Sequence, residues 1–85
     1  MVNIDELRLA RDTAERAHQD CLRRIRSYER LIAESDPRDE EGYAGLLNRL
    51  HALEGEEQQL WFSAVRAKAA FSAADDAQRF GRRAQ

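Results

Sequence analysis

The sequence predicts an all-α protein in which two long helices pack antiparallel as a helical hairpin. Apolar residues recur at intervals of three and four over two long segments, the spacing typical of amphipathic helices. The single proline, Pro37, lies in the one polar break between them, ESDPRDE. No segment alternates apolar and polar residues as a strand does. At 85 residues, the chain is predicted to be one domain, residues 1–85, with a thin core.

The first helix is predicted to span about residues 4–34. Asn3 is a favourable N-cap, and Glu6 stands three residues later, where a capping box places its acidic partner. Arg11 and His18 fall on the same line as the apolar residues of this helix. That apolar stripe consists of Ile4, Leu7, Ala14, Cys21, Ile25, Tyr28 and Ile32.

The second helix is predicted to follow a tight turn at 35–37 and to span about residues 37–80. Asp36 is the expected N-cap and Pro37 the first helical residue, while Gly81 is the expected C-cap. Its stripe at three- and four-residue intervals is Tyr43, Leu46, Leu50, Leu53, Glu57, Leu60, Ala64, Ala67, Phe71 and Ala74.

Folding the chain about Pro37 fixes the expected register of the two helices. Cys21 should lie near Ala52 and Ile4 near Ala70, so that Phe71 and Phe80 extend past the end of helix 1. We call the predicted line of helix–helix contact the seam. The seam residues are Leu7, Ile25, Tyr28, Ile32, Leu50, Leu53 and Leu60.

Composition and charge narrow the function classes. The charged residues make up 35% of the chain with a net charge of −2, which gives no basic surface for nucleic acid. Cys21 is the only cysteine, so no intramolecular disulfide is expected and a reducing compartment is favoured. No apolar run approaches the ~20 residues of a membrane span, and the N-terminus lacks the apolar core of a signal peptide. A cytoplasmic protein is expected.

The residue types that carry chemistry are sparse. His18 and Cys21 share a helix face, and the register brings His51 towards them, but a closed zinc site requires a fourth ligand. We prefer the interpretation that Cys21 is a small core residue and that both histidines lie at the edge of the seam. No nucleophile–base pair or phosphate-binding loop is apparent. We expect neither a metal or cofactor nor enzymatic activity.

The sequence places its unpaired apolar residues on helix 2. Trp61, Phe62 and Val65 lie off the stripe, so one facing helix cannot cover them. Gly42 and Gly45 offer a strip without side chains beside Tyr43 and Leu46, or else a weak first turn that orders on docking. Gly55 is expected to relieve crowding at a contact. The predicted partner-binding residues are Tyr43, Leu46, Trp61, Phe62 and Val65.

The pattern from Tyr43 to Glu54 resembles a known family. Tyr43, the aromatic residue after the polar turn, is followed by Leu46 and Leu50. Leu53 and Glu54 come ten and eleven residues after Tyr43, within the run HALEG. In this the chain is similar to the small type III secretion co-chaperones of the YscE/PscE/EscE/SsaE group. The resemblance covers residues 4 to about 66. The tail 67–85 and Glu57 on the apolar stripe depart from the family pattern.

The resemblance implies a cytoplasmic helical hairpin in bacteria. It also implies a tetratricopeptide-type chaperone of the YscG/PscG kind as partner, and a YscF-like needle subunit that the pair holds monomeric before export. Two alternatives stay open on the residues alone. One is a self-associating bundle in which two hairpins supply four helices. The other is a small inhibitor or adaptor, of the kind phages encode, that masks a partner.

Overall fold

The computed structural model describes residues 3–83, and over that range the protein is the predicted all-α helical hairpin. Helix α1 spans Ile4–Glu34 and helix α2 spans Glu40–Arg83. The two helices pack antiparallel along their length, and no strand occurs within the described range. The molecule is a rod with principal extents of 71 × 16 × 14 Å.

The N-terminus of α1 is capped as its sequence predicts. Asn3 has extended backbone angles, φ −82° and ψ 114°, and its side-chain oxygen accepts a hydrogen bond from the Asp5 N–H at 2.9 Å. Asp5 and Glu6 place negative charge in the first turn, where the helix dipole favours it. A return bond from Glu6 to Asn3 is not among the hydrogen bonds of the described residues. The N-cap prediction is therefore confirmed without the second half of a capping box.

The turn is longer than predicted and occupies 35–39. Asp36 accepts two backbone bonds, from Arg38 N–H to its carboxylate at 2.9 Å and from Asp39 N–H to its carbonyl at 3.0 Å. Pro37 thus stands at the second position of a β-turn, which its fixed φ suits. Asp39 is the actual cap of α2, because its carboxylate accepts from Gly42 N–H at 3.2 Å. The prediction that Asp36 caps a helix starting at Pro37 is wrong by three residues.

The C-terminal boundary of α2 also differs from the prediction. The helix continues through Gly81 to Arg83, and no described glycine has a positive φ. A glycine C-cap requires that left-handed conformation, so the predicted cap at Gly81 is wrong. A frayed tail is expected after a cap at Gly81, but the helix includes Arg82 and Arg83, and residues 84–85 lie outside the described range.

The core between the two helices is small, and two of its three buried residues, Cys21 and Ala64, lie on the predicted apolar stripes but not among the predicted seam residues. Among the described side chains only Cys21, Ile25 and Ala64 are buried, at 4%, 9% and 9% exposure. The remaining seam residues are half-buried, because a single facing helix covers each of them on one side only. They are Leu7, Tyr28, Ile32, Leu50, Leu53 and Leu60.

Two contacts between the helices define the register. The Cys21 thiol donates to the Leu53 carbonyl at 3.5 Å, one residue from the predicted neighbour of Cys21. Further from the turn, the guanidinium of Arg11 lies 4.3 Å from the ring centroid of Phe71. Phe71 is half-buried against the start of α1, so the prediction that it extends past α1 is wrong. Phe80 is 72% exposed.

Candidate functional site: the outer face of α2

Three large apolar side chains form an exposed patch in the middle of α2. Trp61, Phe62 and Val65 are 47%, 51% and 44% exposed, and we call them the aromatic patch. The rings of Trp61 and Phe62 meet edge to face, with centroids 5.0 Å apart and planes inclined at 68°. This arrangement is favourable for two aromatic rings and holds them as one raised surface.

Helical phase explains why α1 cannot cover this patch. Leu60 and Ala64 pack towards α1, and each following residue is rotated by about 100° around α2. Trp61 and Val65 therefore stand at the side of the seam, whereas Phe62 faces nearly the opposite direction. The sequence-based expectation that these three residues lie off the seam agrees with their exposure.

The other predicted partner-binding residues, nearer the turn, lie in different settings. Tyr43 is 36% exposed, whereas Leu46 is half-buried and shares the phase of the seam leucines. The two are separated from the aromatic patch by more than three turns of helix. The structure therefore gathers Trp61, Phe62 and Val65 into one surface and leaves Tyr43 and Leu46 apart from it.

The glycines of α2 have two different surroundings. A methyl group at Gly42 would overlap the carboxylate of Asp39, so glycine at this position leaves room for the helix cap. A methyl group at Gly45 or Gly55 would meet no atom within 4 Å. Gly55 relieves no crowding within the hairpin, and relief of crowding at a contact with another molecule stays a prediction. Gly45 does offer open space beside Tyr43.

A polar pair crosses the seam where sequence reasoning considered a metal site. His18 Nε2 lies 2.7 Å from Glu57 Oε1, and the two side chains are 14% and 26% exposed. His51 is exposed on α2. Within the described range, no three His, Cys, Asp or Glu side chains are arranged to hold a metal ion. The signal for the pair was present in the sequence, because both residues lie on their seam lines at matching register.

Cys21 lies beside this pair and is the most buried side chain of the hairpin. Burial raises the pKa of its thiol, and the nearby carboxylates of Glu56 and Glu57 raise the pKa further, while Arg24 opposes them. The neutral thiol is thus the favoured form in the fold. It donates a hydrogen bond to a backbone carbonyl and behaves as a small core residue.

A second polar contact closes the end of the hairpin distant from the turn. Arg11 donates from Nε and Nη2 to one oxygen of Asp12, at 3.1 and 3.0 Å, which fixes the guanidinium over Phe71. Arg8 adds a longer contact to the same ring at 5.6 Å. The position of Arg11 on the seam line was the sequence signal for this cation–π contact.

Comparisons with known proteins do not assign this hairpin to a family. No family model, curated protein or solved structure matches the chain. In the part of the chain that the structure describes, neither helix is apolar enough over a sufficient length to cross a membrane. Over residues 3–83 the protein is a helical hairpin that exposes an apolar patch on α2.

Proposed function

We propose that the protein is a non-enzymatic binding module that docks on a larger helical protein through the aromatic patch of α2. The observation that carries this proposal is that only three described side chains are buried, whereas Trp61, Phe62 and Val65 are exposed together on one surface of α2. Exposed apolar surface of this kind is typical of a protein interface. A hairpin with so small a core gains stability whenever a partner binds only its folded form.

On the resemblance of residues 43–54 to the YscE/PscE/EscE/SsaE group, the proposed role is that of a type III secretion co-chaperone in the bacterial cytosol. The partner would be a tetratricopeptide-type chaperone, and the pair would keep a needle subunit monomeric before export. Tetratricopeptide arrays need their terminal repeats covered, and an amphipathic hairpin with an uncovered apolar face is suited to that purpose. The open space at Gly45 beside Tyr43 would allow a partner backbone to approach closely.

The test is a binding titration of the purified hairpin against the tetratricopeptide-type chaperone from the same bacterium. Trp61→Ala and Phe62→Ala should each weaken binding about tenfold or more, because buried aromatic side chains dominate interface energetics. Leu9→Ala is the matched control, since Leu9 is 64% exposed on α1 away from the patch. Circular dichroism of each variant should show unchanged helicity.

Three results would contradict the proposal. Parent-like binding by both aromatic variants would remove the patch from the interface and leave the seam or the region of Phe71 and Phe80 as the alternative. Absence of binding by the parent chain would remove the co-chaperone role itself. A needle subunit that polymerises equally well with and without the two proteins would contradict the proposed effect on export.

A further inference from the structure

We propose that, in the chain alone, a second copy of the protein covers the aromatic patch. Two α2 helices pair antiparallel about a two-fold axis that crosses each helix at Trp61, and the two hairpins form a four-helix homodimer. This inference goes beyond the co-chaperone role and does not rest on it. We infer a second copy because the hairpin exposes more surface than a compact monomer and because charges of opposite sign lie on the two sides of the patch.

The hairpin as a whole exposes more surface than a compact monomer of its mass. The hairpin exposes 6905 Å² at a mass of 9.8 kDa, whereas a compact monomer of that mass exposes about 5,200 Å². The excess of roughly 1,700 Å² is about twice what one partner buries in a standard interface, ~800 Å². A side-by-side pairing of two such rods is the simplest way to remove surface of this kind, and it yields an ordinary four-helix architecture.

The charges beside the patch specify the direction of pairing. Glu54 precedes Trp61 by seven residues and Lys68 follows it by seven, so that all three lie on nearly the same line of the helix. Both charged side chains are exposed, and neither takes part in an ion pair among the described residues. An antiparallel pair centred on Trp61 sets Glu54 of each copy opposite Lys68 of the other.

The same charges disfavour other arrangements. A parallel pair in register would place Glu54 against Glu54 and Lys68 against Lys68, which is repulsive. Opposite charge at Glu54 and Lys68, one on each side of Trp61 along α2, is the pattern expected of a self-complementary two-fold interface.

The first experiment measures the mass of the purified chain by sedimentation equilibrium over a range of concentrations. We expect twice the 9.8 kDa chain mass at high micromolar concentration, dissociating on dilution. Trp61→Ala should raise the dissociation constant about 100-fold or more, because each dimer loses two central aromatic side chains. Leu9→Ala should dimerise as the parent does.

The second experiment exchanges the two charges. Glu54→Lys and Lys68→Glu should each weaken the dimer about tenfold at low salt, since each replaces two attractive pairs by two repulsive ones. The double exchange should restore the parent dissociation constant, because it recreates both pairs with reversed sign. Glu29→Lys on α1 serves as a control for a general effect of net charge.

Each contrary result overturns a defined part of the proposal. A parent chain that stays monomeric at high micromolar concentration overturns the dimer, and so does a higher oligomer in its place. A dimer that Trp61→Ala leaves intact overturns the assigned face. Failure of the double exchange to restore association overturns the antiparallel register. None of these measurements involves the chaperone. The proposed function is tested separately, by the binding titration with the chaperone.

Discussion

The imidazole of His18 and the carboxylate of Glu57 join the two helices across an otherwise apolar seam, with Nε2 and Oε1 2.7 Å apart. The contact lies one turn from Cys21 along α1, next to the most buried side chain of the hairpin. A directional polar contact at this position penalises any slip of one helix along the other, because a slip would leave two part-buried polar groups without partners. The pair therefore contributes to the register more than to the net free energy of folding.

Removing one member of this pair should destabilise the hairpin, while removing both should not. Glu57→Leu leaves the His18 imidazole part-buried without its partner and should lower the free energy of unfolding by about 1–3 kcal/mol. His18→Leu with Glu57→Leu extends the apolar stripe and should recover that loss or exceed it. Urea unfolding followed by circular dichroism at one fixed protein concentration provides the measurement. If the double variant lost as much stability as His18→Leu and Glu57→Leu lose together when made singly, the two side chains would not be energetically coupled.

Truncation within the seam should unfold the hairpin in proportion to burial. Ile25→Ala, at a buried position, should cost about 2–5 kcal/mol and lose most helicity at ambient temperature. Leu53→Ala and Leu50→Ala should cost less, because both side chains are half-buried. Leu9→Ala, at an exposed position on α1, should stay within about 0.5 kcal/mol of the parent. A cost at Leu9 equal to that at Ile25 would show that the seam is misplaced.

Alanine scanning of the α2 glycines should separate two roles. Gly45→Ala and Gly55→Ala meet no neighbouring atom and should each stabilise the hairpin by about 1 kcal/mol through helix propensity. Gly42→Ala should gain clearly less, because its methyl group displaces the Asp39 carboxylate from a cap worth about 1 kcal/mol. Thermal melts of the three variants supply the comparison. Equal stabilisation by all three would show that Asp39 does not cap α2.

The raised pKa of the Cys21 thiol predicts a pH dependence in alkaline solution. The folded chain holds this proton to higher pH than the unfolded chain does, so the thiol contributes stability in full below the usual thiol pKa of about 8.5. That contribution is lost as the pH rises towards the pKa of the Cys21 thiol in the folded chain. The parent should therefore lose more stability than Cys21→Ala between neutral and alkaline pH, as measured by urea unfolding. Parallel pH profiles of the two proteins would contradict it.

Much of this fold follows from the sequence because both helices carry strong local signals. Asn3 marks the start of α1, and folding the chain about Pro37 places Cys21 within one residue of its observed neighbour on α2. The turn could not be fixed in the same way. Asp36 and Asp39 are both good caps, and Pro37 suits a β-turn as well as a first helical turn, so that local preferences do not choose between the two solutions.

The end of the hairpin distant from the turn shows a different limit. Pairing residues by count placed Phe71 beyond α1, but arginine side chains in a helix point towards its N-terminus and reach several ångströms past their own backbone. Arg8 and Arg11 therefore contact a ring that simple counting had left without a partner. Helical phase alone predicts that Trp61, Phe62 and Val65 lie off the seam. The phase shows only that α1 does not reach them, so it does not by itself identify what covers them.

Helix α2 has 44 residues and α1 has 31. The rod therefore consists of a segment in which the two helices pack together and an end around Phe80 that is formed by α2 alone. A few turns of helix without a packing surface are marginal in water. Amide hydrogens should accordingly exchange slowly near Cys21 and Ala64 and progressively faster from Asp76 towards Arg83. The free energy of local unfolding is thus expected to fall along α2 towards Arg83, so that the last two turns unfold without loss of the two-helix packing.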